Sequence, residues 1–300
     1  MLRSQSSGFG KIKEALLQRQ EEVSLIAVGD VMLSRDVARK MKTYQDIHHP
    51  FLKTRDYLKT ADLVFGNLES PITEGREIGS YEMIFRANPG VEKALKEAGF
   101  SILSLANNHT FNFGYDGLED TFNYLNQAGI KYVGAGKNKE EAYRPLYIEE
   151  KGIKFAFLAY TDLSFIPYIA VMDIEQMAEA VRQAKQQADF VIVSMHAGNE
   201  YAEGPNQSQI NFAHAAIDAG AELVIGHHPH VIQKIEEYKS KYIFYSLGNF
   251  VFDQMWSQKT REGLMVKIFF NKDSVIKIDY SSVLIEDYCQ PRIVEEDFTL

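Results

Sequence analysis

The chain has 300 residues, of which 45% are hydrophobic and 24% are charged, a globular composition that excludes a disordered or fibrous protein. Its 32 Lys and Arg residues against 41 Asp and Glu residues give a formal net charge of −9, without a long run of like charges, which argues against a nucleic-acid partner. The single cysteine, Cys289, excludes an intrachain disulfide, so the hydrophobic core must stabilise the fold.

The first 22 residues contain one apolar run, Ala15 to Leu17, which is too short for a signal peptide or a membrane-spanning helix. We therefore expect a polar N-terminal extension over residues 1–22, with a short surface helix at residues 11–20, and one domain over residues 23–300. The chain as written is expected to be cytoplasmic and to have no intrinsic membrane segment. If a leader has been removed from its N-terminus, an extracytoplasmic, membrane-associated protein is expected instead.

Runs rich in β-branched and aromatic residues alternate along the chain with amphipathic stretches of helical spacing. Strands are predicted at residues 23–28, 62–65, 101–105, 153–160, 190–194, 223–225 and 242–245. Helices are predicted at residues 91–98, 118–128, 174–188 and 207–219, three of which run into Gly99, Gly129 or Gly220 as stop signals. This alternation predicts a layered α/β fold. Near the C-terminus, residues 263–270 and 275–280 flank a hairpin-type turn, which predicts additional antiparallel strands.

Polar residues follow the ends of six predicted strands. They are Asp30; Asn67 and Glu69; Asn107, Asn108 and His109; His196; His227, His228 and His230; and Asn249. Each has an ordinary explanation on its own, such as a helix N-cap for Asp30 or a turn former for Asn67. Because the carboxyl ends of strands form the ligand crevice in open α/β sheets, the coincidence at six strand ends favours one shared site.

Carboxylates, amide oxygens and imidazoles together suit zinc, manganese or iron better than calcium. Pro229 favours an extended conformation at His228, and extended residues two apart face the same way, so His228 and His230 are predicted to bind together. Five or six ligands exceed the three of a mononuclear catalytic zinc, which favours two metals sharing a carboxylate. Two divalent ions against Asp30 and Glu69 leave a charge of about +2, which suits a phosphate-like anion.

Six ordered motifs over residues 24–253 carry a resemblance to a known family. They are Gly29-Asp30-Val31-Met32, Gly66-Asn67-Leu68-Glu69, Leu105-Ala106-Asn107-Asn108-His109, His196-Ala197-Gly198-Asn199-Glu200-Tyr201, Gly226-His227-His228-Pro229-His230-Val231 and Tyr245-Ser246-Leu247-Gly248-Asn249-Phe250. The chain resembles the CapA (PgsA-like) proteins of bacterial poly-γ-glutamate capsule synthesis, a divergent branch of the calcineurin-like metallophosphoesterases. The resemblance implies a four-layer α/β/β/α sandwich, with the late hairpins in its second sheet and two divalent transition-metal ions (Mn, Zn or Fe).

The resemblance also implies roles for individual residues. The implied metal ligands are Asp30, Glu69 as the bridging carboxylate, Asn108, His196, His228 and His230. His109 is implied as the catalytic acid that protonates the leaving oxygen. We expect substrate contacts from Asn67, Asn107, Glu200, His227 and Asn249. The chain departs from the usual pattern at Met32, where the superfamily has a histidine, at Asn112, where the family often has Asp, and at Ala197, where it often has Trp.

Two functional hypotheses follow from the resemblance. The first is a metal-dependent phosphoester hydrolase linked to poly-γ-glutamate capsule biosynthesis, which acts alone on a phosphate-bearing substrate. A generic nucleotide phosphoesterase would differ from it only in substrate. The alternative is a non-catalytic metal-binding subunit of a polyglutamate synthesis or export complex, which binds the polyanionic polymer and is recruited by a membrane-bound capsule synthase.

Overall fold

The computed structural model describes residues 22–298, with the side chains of residues 22–295. The predicted helix at residues 11–20 lies outside the described residues, as does nearly all of the predicted N-terminal extension. The strands are β1 (Val23–Val31), β2 (Leu63–Leu68), β3 (Ile102–Ser104), β4 (Lys131–Val133), β5 (Leu146–Glu150), β6 (Ile153–Thr161), β7 (Phe190–His196), β8 (Leu223–His227), β9 (Ile235–Tyr238), β10 (Lys241–Phe244), β11 (Asn249–Val251), β12 (Glu262–Phe270), β13 (Val275–Glu286) and β14 (Gln290–Phe298). The helices are α1 (Arg35–Tyr44), α2 (Arg55–Leu58), α3 (Val91–Ala98), α4 (Gly114–Ala128), α5 (Lys139–Ala142), α6 (Ile174–Lys185), α7 (Gln207–Ala219) and α8 (Gln258–Arg261), with a 3₁₀ turn at His49–Phe51.

The strands form two mixed sheets. The first has the order β14-β13-β12-β1-β2-β3-β4, and β11 also pairs with β1. In this sheet β1 to β4 and β11 are parallel, whereas β12, β13 and β14 are antiparallel to their neighbours. The second sheet has the order β5-β6-β7-β8-β10-β9, with a parallel centre and antiparallel strands at both edges.

Hydrophobic side chains pack between the two sheets and on both outer faces. Between the sheets, Phe65 of β2 stacks on Phe157 of β6 with ring centroids 5.7 Å apart. Outside, α1, α3 and α4 cover the first sheet, while α6 and α7 cover the second. The order of layers is therefore helices, sheet, sheet and helices, which confirms the predicted four-layer α/β/β/α sandwich.

The hairpins near the C-terminus are divided between the two sheets. The expectation that they belong to the second sheet is therefore wrong for β12 to β14. Only the β9–β10 hairpin joins the second sheet. The longer β12–β13 hairpin joins the first, because β12 pairs antiparallel with β1 from Val23↔Phe270 to Ala27↔Val266. This pairing satisfies the backbone groups of β1 on the side opposite β2 and places β1 inside the sheet.

The chain crosses from the second sheet to the first between β10 and β11. Here the backbone of Gly29 in β1 lies so close to Gly248 that a Cβ atom at residue 29 would be 1.9 Å from the Gly248 carbonyl oxygen. Glycine at this position therefore permits the crossing, which sets Asn249 beside Asp30. None of the helices between residues 22 and 298 is long and apolar enough to cross a membrane.

Candidate metal centre

The strand ends of both sheets meet at one edge of the sandwich and bring the predicted site residues together. In the first sheet, Asp30 is in register with Asn67 on one side and Asn249 on the other. In the second sheet, His196 is in register with His227. Four of the strands that carry these residues are longer than predicted, because their backbone pairing with neighbouring strands continues through the site residues. Asp30, Asn67, His196 and His227 consequently lie within strands rather than after them.

Asn67 lies at the middle of the centre. Its Nδ2 atom is 2.8 Å from Asp30 Oδ1, 3.3 Å from Glu69 Oε2 and 3.2 Å from His196 Nδ1. Its Oδ1 atom accepts a hydrogen bond from Asn107 Nδ2 at 3.0 Å, which fixes the amide in this orientation. Asn67 therefore donates to both carboxylates and orients them, as residues behind the candidate ligands of a metal site do.

Two groups of side chains have the composition and spacing of metal sites. One comprises Asp30, Glu69 and His196, and the other comprises Glu200, His228 and His230; within each group the ligand atoms lie within 4.8 Å of one another. Glu69 Oε1 and His228 Nδ1 are buried and have no hydrogen-bond partner among the described residues. Because unpaired buried polar atoms are costly, both atoms fit a bound cation, and the donor set fits a divalent transition metal.

The two buried carboxyl groups have opposite pKa shifts. Burial raises the pKa of Asp30, but the hydrogen bond and charge of His230 outweigh this effect, so its pKa lies below the usual value. Burial and the negative charge of Asp30 both raise the pKa of Glu69 well above its usual value. In the metal-free protein the pair therefore holds one negative charge more easily than two, and a divalent cation would favour ionisation of both.

Two of the candidate histidine ligands, His196 and His228, are held in the neutral form that binds metal. Burial, followed by the charge of His230, lowers the pKa of His228 to about 3. Burial also lowers the pKa of His196 well below its usual value, and the neighbouring His228 adds to this effect. Neither imidazole would have to lose a proton to bind a cation near neutral pH.

The backbone at His228 is not extended, so the predicted effect of Pro229 is wrong. His228 has φ = +97° and His230 has φ = +57°. The physical reason is a tertiary contact, because the backbone N–H of His228 donates to Asp30 Oδ2 at 3.2 Å and holds the loop against β1. Both imidazoles nevertheless belong to one candidate ligand group, through a tight loop rather than through strand geometry.

His109 faces the centre from the loop after β3. Its Nε2 atom is 3.8 Å from Glu69 Oε1, and its ring stacks on Phe85 with centroids 3.9 Å apart. Its Nδ1 atom lies 2.9 Å from Asn112 Oδ1. Burial lowers the pKa of His109 to about 4, although the hydrogen bond to Asn112 acts in the opposite direction. Asn112, a departure from the family pattern, thus contacts His109.

The two asparagines before His109 have different environments. Asn108 Oδ1 lies 2.9 Å from His196 Nε2, so both can reach the same cation. Asn107 is fully buried, and its side chain bonds to Asn67, to the Leu68 carbonyl and to the backbone N–H groups of His109 and Thr110. The structure therefore places Asn108 at the centre and Asn107 behind it, as a support for the loop.

Two further residues predicted to contact substrate lie behind the centre. His227 Nε2 lies 3.1 Å from the Val28 carbonyl and its Nδ1 lies 3.5 Å from Ser194 Oγ, so the ring is held in the interior. Asn249 Oδ1 lies 3.0 Å from His230 Nδ1, and its Nδ2 donates to the Thr260 carbonyl at 2.8 Å. These contacts orient Asn249 to accept from His230, which leaves His230 Nε2 free to face Glu69.

Arg35 is the charged neighbour that the strand-end pattern missed. Its guanidinium carbon lies 4.6 Å from the ring centroid of Phe85, on which His109 stacks, and its Nε donates to Asp253 Oδ2 at 3.1 Å. Arg35 begins α1 and is not a strand-end residue. Met32 lies in the hydrophobic core, where its sulfur accepts a hydrogen bond from the Ser34 backbone, so it adds no ligand to the centre.

Comparisons with known proteins agree with the fold and the motifs. The family model described as bacterial capsule synthesis protein PGA_cap matches residues 24–254. The capsule biosynthesis protein CapA of Bacillus anthracis is 34% identical over 286 residues, which cover 90% of this chain and 69% of that protein. The PGA biosynthesis protein CapA of Bacillus subtilis (strain 168) is 34% identical over 281 residues, which cover 90% of this chain and 73% of that protein.

A solved structure shows the same fold at low sequence identity. It is described as a novel phosphatase from Mycoplasma pneumoniae, and its TM-score is 0.57 at 17% identity, with 92% of this chain and 94% of that chain covered. At this identity the likeness concerns the fold alone, and this chain shares the layered fold of that protein. The match of the family model over residues 24–254 and the 34% identity to the two Bacillus CapA proteins show that the chain belongs to the bacterial PGA capsule synthesis (PGA_cap) family.

Proposed function

We propose that this chain binds two divalent transition-metal ions and hydrolyses a phosphoester, in a role linked to poly-γ-glutamate capsule biosynthesis. The observation that carries the proposal is the pair of adjacent ligand groups, in which buried Glu69 Oε1 and His228 Nδ1 have no hydrogen-bond partner among the described residues. The family membership and the metallophosphoesterase-like fold support the same function.

Each ion has a candidate ligand set. Asp30, His196 and Asn108 would hold one ion. Glu200, His228 and His230 would hold the other, so Glu200 would be a ligand rather than the predicted substrate contact. Glu69 would join the two sets, because its Oε1 lies 3.7 Å from His230 Nε2. Divalent ions held there would supply Lewis-acid activation of water and of phosphoryl oxygens.

His109 is the proposed proton donor to the leaving oxygen. Its Nδ1–H is engaged by Asn112, so Nε2 is the atom that faces the centre. With a pKa lowered to about 4, the imidazole is neutral near pH 7 in the free protein. A phosphate dianion beside it would stabilise the imidazolium, which is the form able to donate from Nε2. The acid therefore becomes competent when the anionic substrate is bound.

The test combines metal analysis with a phosphoester panel on one purified sample reconstituted with manganese or zinc. We expect about two ions per chain and metal-dependent hydrolysis. His109→Ala should retain the metal and lose a factor of about 10² to 10⁴ in rate, whereas His228→Ala should lose metal as well. A metal content near zero in the reconstituted wild type would refute the centre, and equal metal loss in both variants would refute the role of His109.

A non-catalytic subunit of a polyglutamate synthesis or export complex is the second candidate. It is favoured by the apolar environment of Met32, at the position where the superfamily has a histidine ligand, and by the relatives, which are named for capsule and PGA biosynthesis. Under this proposal a membrane-bound synthase recruits the chain, whereas an independent enzyme would remain cytoplasmic. Fractionation of cells with and without the other capsule genes separates the two, because membrane association that depends on those genes is expected only of the subunit.

A further inference from the structure

A groove of about 610 Å³ opens beside the metal centre. We call it the aromatic groove and define it by six of its lining residues: Arg35, Tyr81, Met83, Tyr201, Asp253 and Trp256. Three of these side chains are apolar or aromatic and strongly exposed, since Tyr81 is 98%, Trp256 is 64% and Met83 is 61% exposed. Exposed apolar side chains gathered around a concave surface are typical of a binding site.

The aromatic groove and the metal centre have a common wall. Tyr201 directly follows Glu200, and its ring centroid lies 6.2 Å from that of His230. The Tyr201 ring also packs edge-on against Trp256 at 4.7 Å, and its hydroxyl accepts a hydrogen bond from Gln254 at 3.2 Å. A molecule held at the centre through a phosphoryl group could therefore extend directly along Tyr201 into the groove.

The charges in the aromatic groove do not suit a polyanion. Arg35 is the only cation among the described residues that line it, and its guanidinium is already paired with Asp253, which is buried beside it. The carboxylate of Asp36 also lines the groove, and it is paired with Arg39 in the same way. What the groove offers instead is the ring faces of Tyr81 and Trp256, together with the thioether of Met83, which stack favourably on flat aromatic rings.

We propose that the aromatic groove binds a flat aromatic ring that the substrate carries next to its phosphoryl group. The position of the phosphoryl group in this proposal rests on the proposed function. The position of the ring rests on the side chains that line the groove. A substrate such as an aryl or nucleoside phosphate fits this description, whereas a strand of poly-γ-glutamate, with a carboxylate on every unit and no ring, does not. The aromatic groove thus selects among substrates of the same centre.

Trp256 allows ring binding to be measured without catalysis. It is the only tryptophan in the chain, so its fluorescence reports on occupancy of the aromatic groove. The metal-reconstituted protein would be titrated with phenylphosphonate and propylphosphonate, which carry the same phosphonate group and no hydrolysable ester, and the two affinities would be compared for the dianions. Phenylphosphonate should change the Trp256 emission saturably and bind about tenfold more tightly, because stacking on aromatic side chains contributes to affinity. Equal affinity for both compounds would overturn the proposal, as would tighter binding of oligo-γ-glutamate.

A phosphonate analogue of adenosine monophosphate identifies the source of the ring. Tighter binding than phenylphosphonate would assign the groove to a nucleobase, and equal binding would assign it to a simple aryl group. Tyr81→Ser should weaken phenylphosphonate binding by about fivefold or more and leave propylphosphonate binding unchanged. Phe165→Ser is the matched control, since Phe165 is an aromatic residue 87% exposed that does not line the groove, and it should change neither.

The outcomes separate this proposal from the proposed function. Ring discrimination in a protein without metal-dependent hydrolysis would support the aromatic groove and count against the hydrolase. Metal-dependent hydrolysis with equal affinities for the phenyl and propyl compounds would support the hydrolase and overturn the aromatic groove. An equal effect of Tyr81→Ser and Phe165→Ser on phenylphosphonate would likewise overturn the assignment of the ring to this groove.

Discussion

The side-chain oxygen of Asn112 lies 2.9 Å from Nδ1 of His109 and accepts the backbone N–H of Phe85 at 2.7 Å. A backbone N–H is always a donor, so the second contact fixes which end of the amide faces His109. Nδ1 of His109 must then carry a hydrogen, and Nε2 faces the metal centre. Asn112 therefore orients His109 through an uncharged oxygen. A carboxylate at this position would also place a negative charge next to the imidazole.

Substitution of Asn112 tests this positioning role. Asn112→Leu should lower kcat by up to about 10² with unchanged metal content, because the imidazole loses its orientation but no metal ligand is removed. Asn112→Asp keeps an oxygen that accepts the hydrogen bond from His109 Nδ1. Its negative charge should raise the pKa of His109, so hydrolysis that depends on protonated His109 would extend to higher pH. The measurement is the pH profile of kcat for both variants. An unchanged profile in Asn112→Asp would contradict the assignment.

Asn67→Asp should make the protein depend more strongly on metal. The amide of Asn67 donates to both Asp30 and Glu69, and a carboxylate in its place would repel them. Without metal we expect a loss of about 3 kcal/mol in unfolding free energy, and with metal a larger stabilisation than in the wild type. Thermal unfolding with chelator and with manganese measures both effects. Asn211→Asp, the same change at an exposed site, is the control and should show neither.

In the metal-free protein, His109 and His228 should each lower the stability as the pH falls from 7 to 5, against the opposite effect of Glu69, whose pKa is raised in the fold. The pKa values of His109 and His228 are lowered to about 4 and about 3 in the fold, whereas an unfolded histidine titrates near 6.5. The unfolded chain therefore binds more protons in this window, and each histidine should cost about 2 kcal/mol by pH 5. Urea unfolding in the presence of chelator measures the slope. His109→Gln should remove the contribution of one histidine, about 2 kcal/mol, from the change in unfolding free energy between pH 7 and 5. The same change in this variant as in the wild type would refute the claim that burial lowers the pKa of His109.

Gly29→Ala should disrupt the crossing between the sheets and the metal centre with it. The added methyl group would lie 1.9 Å from the Gly248 carbonyl oxygen, so β1 and β11 must separate. We expect a loss of about 3 kcal/mol or more in unfolding free energy and reduced metal content. Gly204→Ala is the matched control, because its Cβ atom would meet nothing within 4 Å. Comparable destabilisation of both variants would show that the close approach at residue 29 is unimportant.

Local sequence signals predicted the elements that local interactions determine. Residues 91–98 and 207–219 are helical as predicted, and the glycines that follow them adopt the left-handed conformation. By contrast, α4 begins at Gly114, four residues before the predicted start, in a first turn that has no apolar periodicity. The ends of β1 and β7 and the sheet joined by β12 depend on pairing between distant segments, for which a single sequence carries no direct signal.

The candidate centre was predictable as a group but not in its internal arrangement. The strand-end pattern brought together Asp30, Glu69, His196, His228 and His230, which the structure places in the two candidate ligand groups. It could not separate ligands from the asparagines that orient them, because both kinds of residue follow strand ends. The contact of Asn112 with His109 had one usable signal, a spacing of three residues, whereas Arg35 had none.

The hydrogen bond between the backbone of His228 and the carboxylate of Asp30 joins residues that are 198 positions apart in the chain. Contacts of such long range form late, because the entropy of closing a large loop must be overcome first. A ribosome that has synthesised the first half of the protein has made Asp30 and Glu69 but none of the later histidines. The candidate ligand sets are thus complete only when synthesis has passed His230, so metal binding at the proposed centre would mark a chain that has been extended at least this far.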